Sequence, residues 1–403
     1  MRAALVRLHR WFGLFIAVFL IVSGLTGAII SWDHEIDEWL NPTLFKSTTV
    51  GTPQSPLELA DQLEARDPRL QVGFMPLYTE PGHAFGMSVN PRVDPATNKA
   101  YELGFNQLAL DPVTAQEQGK RMWGAVSLTR ENLMPFLYKL HYSMHIPDGF
   151  GIELGVLLFG IVAIVWTLDA FVALWLSFPS WRAWRKSLAF RVRQGGYKLN
   201  FDLHRSGGVW IWLLLLVLAV TSVSMNLNVQ VTRPLVELFS PLTPSPFASR
   251  TPVSLDQQVT PAINRAQVVA RASNDAPELG ITNPAGGVFY SPEFDVYGVG
   301  FYTAENDHGD GGLGNPWLYY DGQTGEPVGH SIPGTGSAGD IFMQAQFPLH
   351  SGRILGMPGR ILVSVMGLAV AGLSITGLVI WARKRRSRVL GRERRSVLKQ
   401  AVS

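Results

Sequence analysis

Residues 9–13 read His-Arg-Trp-Phe-Gly and residues 204–208 read His-Arg-Ser-Gly-Gly, and each stretch leads into a long apolar run. The two histidines are 195 residues apart. Two further motif pairs follow in the same order at offsets of 210 and 209 residues: Asp111-Pro-Val-Thr with Asp321-Gly-Gln-Thr, and Leu140-His141 with Leu349-His350. A nearly constant offset over three motifs predicts a tandem duplication of one structural unit.

The composition points to a membrane protein without cofactors that depend on cysteine. Of the 403 residues, 47% are hydrophobic and only 16% are charged, which is little charge for a soluble chain of this size. Cysteine is absent from the sequence. This excludes disulfides, thiolate metal sites, iron–sulfur clusters and covalently attached haem, so any haem must be held by histidine or methionine.

Four apolar runs are long enough to cross a bilayer, whose hydrocarbon core of roughly 30 Å takes about 20 helical residues. We predict transmembrane helices in segments 1–32, 151–178, 207–228 and 357–382. The predicted fold is therefore a mainly α membrane protein, with four transmembrane helices arranged as a duplicated two-helix unit. The first run exceeds a signal-peptide core and no Ala-x-Ala site follows it, which favours a retained span.

The basic residues indicate how these spans are oriented. Segments 1–10, 179–206 and 382–403 hold 19 of the 34 Lys and Arg residues and two acidic residues. The positive-inside rule places basic segments in the cytoplasm, so both termini, the loop at 179–206 and the tail at 383–403 are predicted there. We interpret the basic tail as a topology anchor that also contacts membrane lipid, and we expect no nucleic acid partner.

The two long segments between the spans, 33–150 and 229–356, are predicted to form outer modules. Both contain short alternating stretches bounded by turn residues, which are typical of small sheets. An amphipathic helix is expected near the start of each segment, at Leu57 to Arg66 and at Leu255 to Ala272. The sequence therefore predicts two small α+β modules on the outer side of the membrane.

Histidines at matched depths in the two halves predict two haem sites. Parallel repeats are related by an axis along the membrane normal, so equivalent histidines face each other, as the axial ligands of a six-coordinate haem iron must. We predict His9 and His204 as one ligand pair. His350 is paired with His141 or His145, which are four residues apart and share a face if they are helical. His141 is favoured, because a leucine precedes it as one precedes His350.

Four other polar residues are candidates for supporting roles. Arg10 and Arg205 directly follow the inner histidines and are expected either to bind haem propionates or to anchor the topology. Arg353 follows His350 by three residues and is a weaker candidate for the outer haem. Asp169 is the acid well inside a span. It is interpreted as a structural ion pair with the 182–205 loop, the alternative being a contact that tunes the inner haem.

Several strings resemble the PepSY-associated transmembrane proteins of bacteria, and the resemblance covers nearly the whole chain. The strings lie at residues 140–147, 166–179, 199–208 and 348–353. The Asp-x-x-Thr motifs at 111–114 and 321–324 resemble the turn of the PepSY module. The continuation Gly-Glu-Pro after the second motif is the commoner one, whereas Ala-Gln-Glu follows the first, which weakens any shared ligand role for the two turns.

The resemblance implies PepSY-like periplasmic modules and a location in the bacterial inner membrane. The family includes reductases of ferric siderophores that carry two b-type haems, and their histidines match His9, His204, His350 and either His141 or His145. We therefore expect an oxidoreductase that passes electrons from a cytoplasmic or quinol donor to a periplasmic ferric chelate. The alternatives are a non-redox PepSY protein that regulates a protease or assists a transporter, and a haem b cytochrome that reduces a partner protein.

Overall fold

The computed structural model describes residues 1–180, 182 and 184–400, with the backbone alone for 392–399. Residues 181 and 183 of the predicted loop and 401–403 of the predicted tail lie outside this range. The helices are α1 Arg2–Ile30, α2 Asp33–Leu40, α3 Pro42–Phe45, α4 Pro56–Arg66, α5 Leu133–Ser143, α6 Leu154–Ser177, α7 Trp184–Leu188, α8 Gly196–Trp210, α9 Trp212–Asn226, α10 Arg233–Glu237, α11 Arg265–Asp275, α12 Ala338–Ser351 and α13 Met357–Gln400. The strands are β1 Leu70–Pro76, β2 Phe85–Pro91, β3 Val93–Asp94, β4 Lys99–Ala100, β5 Gln107–Leu110, β6 Glu117–Arg121, β7 Ala285–Ser291, β8 Val296–Phe301, β9 Trp317–Asp321 and β10 Pro327–Ser331.

Among the described residues, α1, α6 and α13 are each long and apolar enough to cross a membrane. Helices suit this role because all their backbone polar groups are satisfied within the segment. The fourth candidate is α8 with α9, which are bent by 71° at a break between them. Segment 207–228, predicted as the third transmembrane helix, therefore contains a helix break near its start. Ile211 leaves the helical region at φ −107° and ψ 12°, just after Ser206-Gly207-Gly208, and glycine and serine are typical of sharp helix bends.

The helical bundle is held together at a close crossing of α1 and α13. A Cβ on Gly24 would lie 2.6 Å from the Gly367 carbonyl oxygen, and one on Gly367 would lie 2.5 Å from the Gly24 carbonyl oxygen. Only glycine permits this approach, which is how small residues allow membrane helices to pack. The shorter helix α5 packs against α1, and α12 packs against α9. Both α5 and α12, which carry His141 and His350, are thus packed against helices of the bundle.

The two segments outside the bundle form one antiparallel sheet of eight strands within the described chain, in the order β10-β9-β8-β7-β1-β2-β5-β6. The halves meet where β1 pairs with β7, with Met75 opposite Val288. The two predicted modules are therefore joined rather than separate. An unpaired strand edge exposes backbone donors and acceptors, and pairing β1 with β7 removes one such edge from each half.

Two helices cover the sheet, and the sequence located one of them correctly. Helix α4 matches the predicted Leu57 to Arg66, whereas the helix predicted over Leu255 to Ala272 begins only at Arg265. Pro261 lies between the short 3-10 turn at Leu255–Gln257 and α11, and Asn264 caps the helix by accepting from the Gln267 backbone N–H. Buried side chains of both helices and of both halves of the sheet form one core: Leu59, Leu63, Val72, Val268, Ala272, Val288 and Val299.

The two Asp-x-x-Thr motifs form the same turn in the two halves of the sheet. One Asp321 carboxylate oxygen accepts hydrogen bonds from the Gln323 and Thr324 backbone N–H groups at 2.9 and 2.7 Å, and from the Thr324 hydroxyl at 3.0 Å. Asp111 accepts the equivalent bonds from Val113 and Thr114. Burial by itself would raise the pKa of Asp321, but hydrogen bonds from Arg250 and Thr324 lower it to about 2.

Asp321→Asn is expected to destabilise the outer sheet at neutral pH by about 2 kcal/mol, because a carboxyl pKa below its ordinary value is a stability term of that order. The stabilisation from ionised Asp321 is present above pH 4 and is lost as the pH falls through about 2. Denaturant midpoints from near-ultraviolet circular dichroism at pH 7 and pH 2.5 measure it. Glu326→Gln, which loses only an exposed ion pair with Arg271, is the matched control. The expectation would be contradicted if Asp321→Asn lowered the denaturant midpoint by the same amount at pH 7 and at pH 2.5.

Candidate functional site

The structure brings four of the predicted histidines together as two pairs. His9 of α1 faces His204 of α8, with ring centroids 6.1 Å apart and ring planes inclined by 44°. His141 of α5 faces His350 of α12, also at 6.1 Å, with planes inclined by 62°. Each pair takes one histidine from each half of the chain, as the repeat predicts for residues related by a pseudo-two-fold axis.

The two pairs lie near opposite ends of the helical bundle. His141 contacts Ser23 of α1, fourteen residues after His9 on the same helix. At 1.5 Å per residue the pairs are therefore separated by about 21 Å along the helix axis. This is a large part of a bilayer core of roughly 30 Å. One pair is thus near each membrane surface if α1 spans the bilayer.

Every histidine of the two pairs uses its Nδ1 in a hydrogen bond to the protein. Nδ1 of His9 lies 2.9 Å from the Asp169 carboxylate, that of His141 lies 2.9 Å from the Ser23 carbonyl, and that of His204 lies 3.0 Å from the Leu373 carbonyl. The Thr221 hydroxyl lies 3.0 Å from Nδ1 of His350. Carboxylates and carbonyls only accept, so Nδ1 carries the proton in the first three.

The same tautomer follows for His350. The Thr221 hydroxyl already donates its proton to the Val217 carbonyl at 2.8 Å, so its oxygen accepts from the His350 Nδ1–H. Within the described part of the chain, no hydrogen bond engages the Nε2 of His9, His204, His141 or His350. A metal-ligating imidazole has this arrangement, with one nitrogen donating to the protein and the other free to bind the metal.

His145 lies apart from both pairs. Helix α5 ends at Ser143, and Met144 and His145 both take left-handed backbone angles with φ of 54° and 53°. The expectation that His141 and His145 share one helical face is therefore wrong. The His145 Nε2–H donates to the Phe136 carbonyl at 2.9 Å, and its ring stacks on Phe136 at 4.5 Å.

Asp169 also differs from its favoured interpretation. It is buried, with 6% exposure, and both carboxylate oxygens lie 2.9 Å from Nδ1 of His9. Among the described residues it makes no ion pair with the 182–205 loop; Asp202 instead pairs with Arg191 within that loop. The structural ion-pair interpretation is corrected, because α6 presents Asp169 to α1 rather than to the loop.

The candidate arginines are engaged near the ends of the bundle. The Arg10 guanidinium lies over the Trp11 ring at 5.3 Å, and Arg205 donates to the Lys186 carbonyl at 2.5 Å. Arg353 pairs with Asp310 at 2.8 Å. Binding of propionates by Arg10 and Arg205 stays a prediction.

A cavity of about 440 Å³ opens at the pair of His141 and His350, and this volume lies within the range of small-molecule and cofactor sites. Its walls combine small residues of α1 and α13 with aromatic side chains, and basic side chains lie among the lining residues as well. The lining includes Gly24, Gly27, Gly367, Tyr138, Phe159, Trp166, Phe347, His141, His350, Arg353 and Arg360.

The ring separation within each histidine pair is compatible with a bis-histidine haem. Metal–imidazole bonds of about 2.0 Å on each side of one iron set the two ring centroids about 6 Å apart. Both pairs have this separation, and their free Nε2 atoms supply the required lone pairs. Among the described residues, no group of three or more His, Asp or Glu side chains lies close enough together to hold a metal ion.

Sequence reasoning missed several residues that hold these imidazoles. Thr26 contacts Nδ1 of His141 at 3.2 Å, as Thr221 contacts Nδ1 of His350, and the two threonines are separated by the same 195 residues as His9 and His204. The shared offset of 195 residues could have identified both threonines from the sequence. Gly27 and Gly377 carry no sequence signal of their own. A Cβ on Gly27 would lie 2.8 Å from His141 Cε1, and one on Gly377 would lie 2.9 Å from His204 Cε1.

The apolar helices, the outer sheet and the two histidine pairs define the class as a multi-pass membrane protein with an extramembrane sheet domain. Within this class the chain belongs to the family of the PepSY-associated TM region, whose family model matches residues 6–384. The match covers nearly the whole chain. No curated protein matches the sequence.

Proposed function

We propose that this protein is a di-haem b electron-transfer protein of the bacterial inner membrane, which reduces a ferric chelate on the periplasmic side. The substrate class is a ferric siderophore, and the reaction serves iron release and uptake. The observation that carries the proposal is the pair of facing imidazoles at each end of the bundle, with ring centroids 6.1 Å apart and Nε2 free in both cases.

The proposal includes the orientation of the chain. The basic segments at 1–10, 179–206 and 382–403 favour a cytoplasmic location for both termini and for the ends of the bundle near His9 and His204. The sheet is then periplasmic, and its halves correspond to two PepSY-like modules of a duplicated two-span unit. The shared Asp-x-x-Thr turn and the repeated packing of α5 on α1 and of α12 on α9 support the duplication.

The chain's own residues hold, orient and shield the two haems. His9 and His204 would ligate the inner haem, and His141 and His350 the outer one. Haem supplies a one-electron exchange between ferrous and ferric iron at each site. Two imidazoles leave no open iron position, which favours electron transfer over oxygen chemistry. Their hydrogen-bonded Nδ1 atoms fix the ring orientation and raise the basicity of the ligands.

The overall reaction needs a donor on the cytoplasmic side and an acceptor outside. We propose a soluble cytoplasmic reductant or a membrane quinol as the donor. Each electron converts one ferric chelate to its ferrous form, which most chelators hold weakly. Relay centres at both depths are required, since an electron does not cross a low-dielectric bilayer as a free charge.

The visible spectrum of the detergent-purified protein, before and after reduction with dithionite, tests the proposal. Two low-spin b-type haems per chain are expected, and both are expected to be reoxidised by a ferric chelate. A colourless protein from cells well supplied with haem would contradict the proposal and favour a non-redox PepSY protein that acts on a protease or a transporter. Haem without chelate reduction would point instead to a cytochrome with a protein acceptor.

A further inference from the structure

One histidine differs from the other three in the partner of its Nδ1. His141, His204 and His350 donate to uncharged oxygen atoms of Ser23, Leu373 and Thr221. His9 donates to the carboxylate of Asp169. The four imidazoles therefore share one tautomer, but only that of His9 has a charged hydrogen-bond partner.

At this contact the two halves of the chain differ. In the first half, Asp169 of α6 contacts His9. In the second half, α13 provides the Thr376 hydroxyl at 3.3 Å from Nδ1 of His204. These two residues are 207 apart in sequence, close to the offset of 209 between His141 and His350. A carboxylate thus replaces a hydroxyl at the matching place in the inner site.

Burial makes the charge of Asp169 effective. The residue is 6% exposed on a membrane-spanning helix, and no Lys or Arg of the described chain forms an ion pair with it. Charge in such a setting is expensive and is screened weakly, so it acts strongly on its nearest neighbour. Both oxygens of Asp169 lie at hydrogen-bond distance from the His9 ring, which is that neighbour.

We infer that Asp169 is a positioning residue that makes the inner haem a stronger reductant than the outer haem. This inference rests on the proposed function. A carboxylate that accepts the Nδ1–H of a ligating histidine raises the basicity of the ligand and stabilises ferric iron over ferrous iron. The reduction potential of the haem at His9 and His204 is thereby lowered relative to that at His141 and His350, where each histidine has a neutral partner.

The consequence is a downhill direction for outward transfer. His9 and His204 would hold the haem that gives up one electron, and His141 and His350 would hold the haem that takes it up. The cytoplasmic reductant or quinol restores the inner site, and the ferric chelate accepts the electron from the outer site. No proton or bond is exchanged in the step between the haems.

Asp169→Asn in a His350→Ala background tests the inference on the inner haem alone. Asparagine keeps an acceptor oxygen of the same size and removes the charge. Spectroelectrochemical titration is expected to show a higher midpoint potential with Asp169→Asn, at unchanged haem content. Thr376→Val is the matched control in the same site, since His204 retains its bond to the Leu373 carbonyl. This variant is expected to leave the midpoint potential of the inner haem unchanged. In a His9→Ala background, Asp169→Asn is expected to leave the outer potential unchanged.

An inner potential that stays the same in Asp169→Asn, with its haem bound, overturns the inference while the proposed function stands. If Asp169→Asn does not retain the inner haem, the midpoint potential of the inner haem is measured in Asp169→Glu instead. A potential as low as in the unmodified protein supports a role for the charge. A rise to the potential of the outer haem opposes that role. Absence of haem from the unmodified protein is a separate result, which contradicts the proposed function itself.

Discussion

His141→Ala is expected to leave one haem per chain where the unmodified protein carries two, whereas His145→Ala is expected to leave both. The reason is the end of α5. His141 lies on the helix, with its ring 6.1 Å from that of His350 and its Nδ1 bonded to Ser23. His145 lies beyond the helix end, with its Nε2 committed to the Phe136 carbonyl.

Haem extraction and the reduced-minus-oxidised spectrum of the purified variants measure this difference. His350→Ala is expected to give the same spectrum as His141→Ala, since a bis-histidine site is lost when either ligand is removed. His9→Ala is expected to remove the other haem, so the two single-haem spectra together reproduce that of the unmodified protein. Loss of the outer haem in His145→Ala, with both haems retained in His141→Ala, would contradict this expectation. It would identify His145 rather than His141 as the ligand.

Gly27→Val and Gly377→Val are each expected to remove one haem, the outer and the inner one respectively. A Cβ on Gly27 would lie 2.8 Å from His141 Cε1 and 3.3 Å from its Nδ1, and a Cβ on Gly377 would lie 2.9 Å from His204 Cε1. Real Cβ atoms essentially never approach so closely, so the imidazole must turn away. Turning breaks its Nδ1 bond to Ser23 or to Leu373 and moves Nε2 out of the site.

Gly13→Val on α1 and Gly372→Val on α13 are the matched controls, because a Cβ at either position meets nothing within 4 Å. Both controls carry the same change in helix propensity as the test variants. They are expected to retain two haems per chain and the unmodified spectrum. If Gly27→Val also keeps both haems, the imidazole of His141 does not contact this glycine in the folded protein.

Local patterns in the sequence were sufficient for the elements that depend on local physics. Hydropathy identified α1, α6 and α13 as candidate membrane-crossing helices, and alternation predicted a sheet in each of the two segments that contain the strands. These signals arise from the solvent that each residue faces, which repeats with the period of the helix or strand. Hydropathy did not reveal the bend of 71° at Ile211, because the run is apolar on both sides of the break.

The candidate site divides in the same way. The repeat located His9, His204 and His350 and left the choice between His141 and His145, because it depends on where α5 ends. The role of Asp169 was assigned to the wrong partner, since hydropathy reveals a buried charge and not the helix that it faces. Thr26, Gly27 and Gly377 were missed because each is an ordinary residue for a membrane helix.

The sequence by itself determined the membrane class, the duplicated order of motifs, the absence of thiol chemistry and the histidines available as ligands. Only the tertiary structure decided that β1 and β7 join the outer segments in one sheet, that His141 rather than His145 faces His350, and that Asp169 contacts His9. These outcomes depend on the rotation and crossing of helices far apart in the chain. Contacts such as Gly24 with Gly367 set that geometry, and no local window of sequence contains both partners.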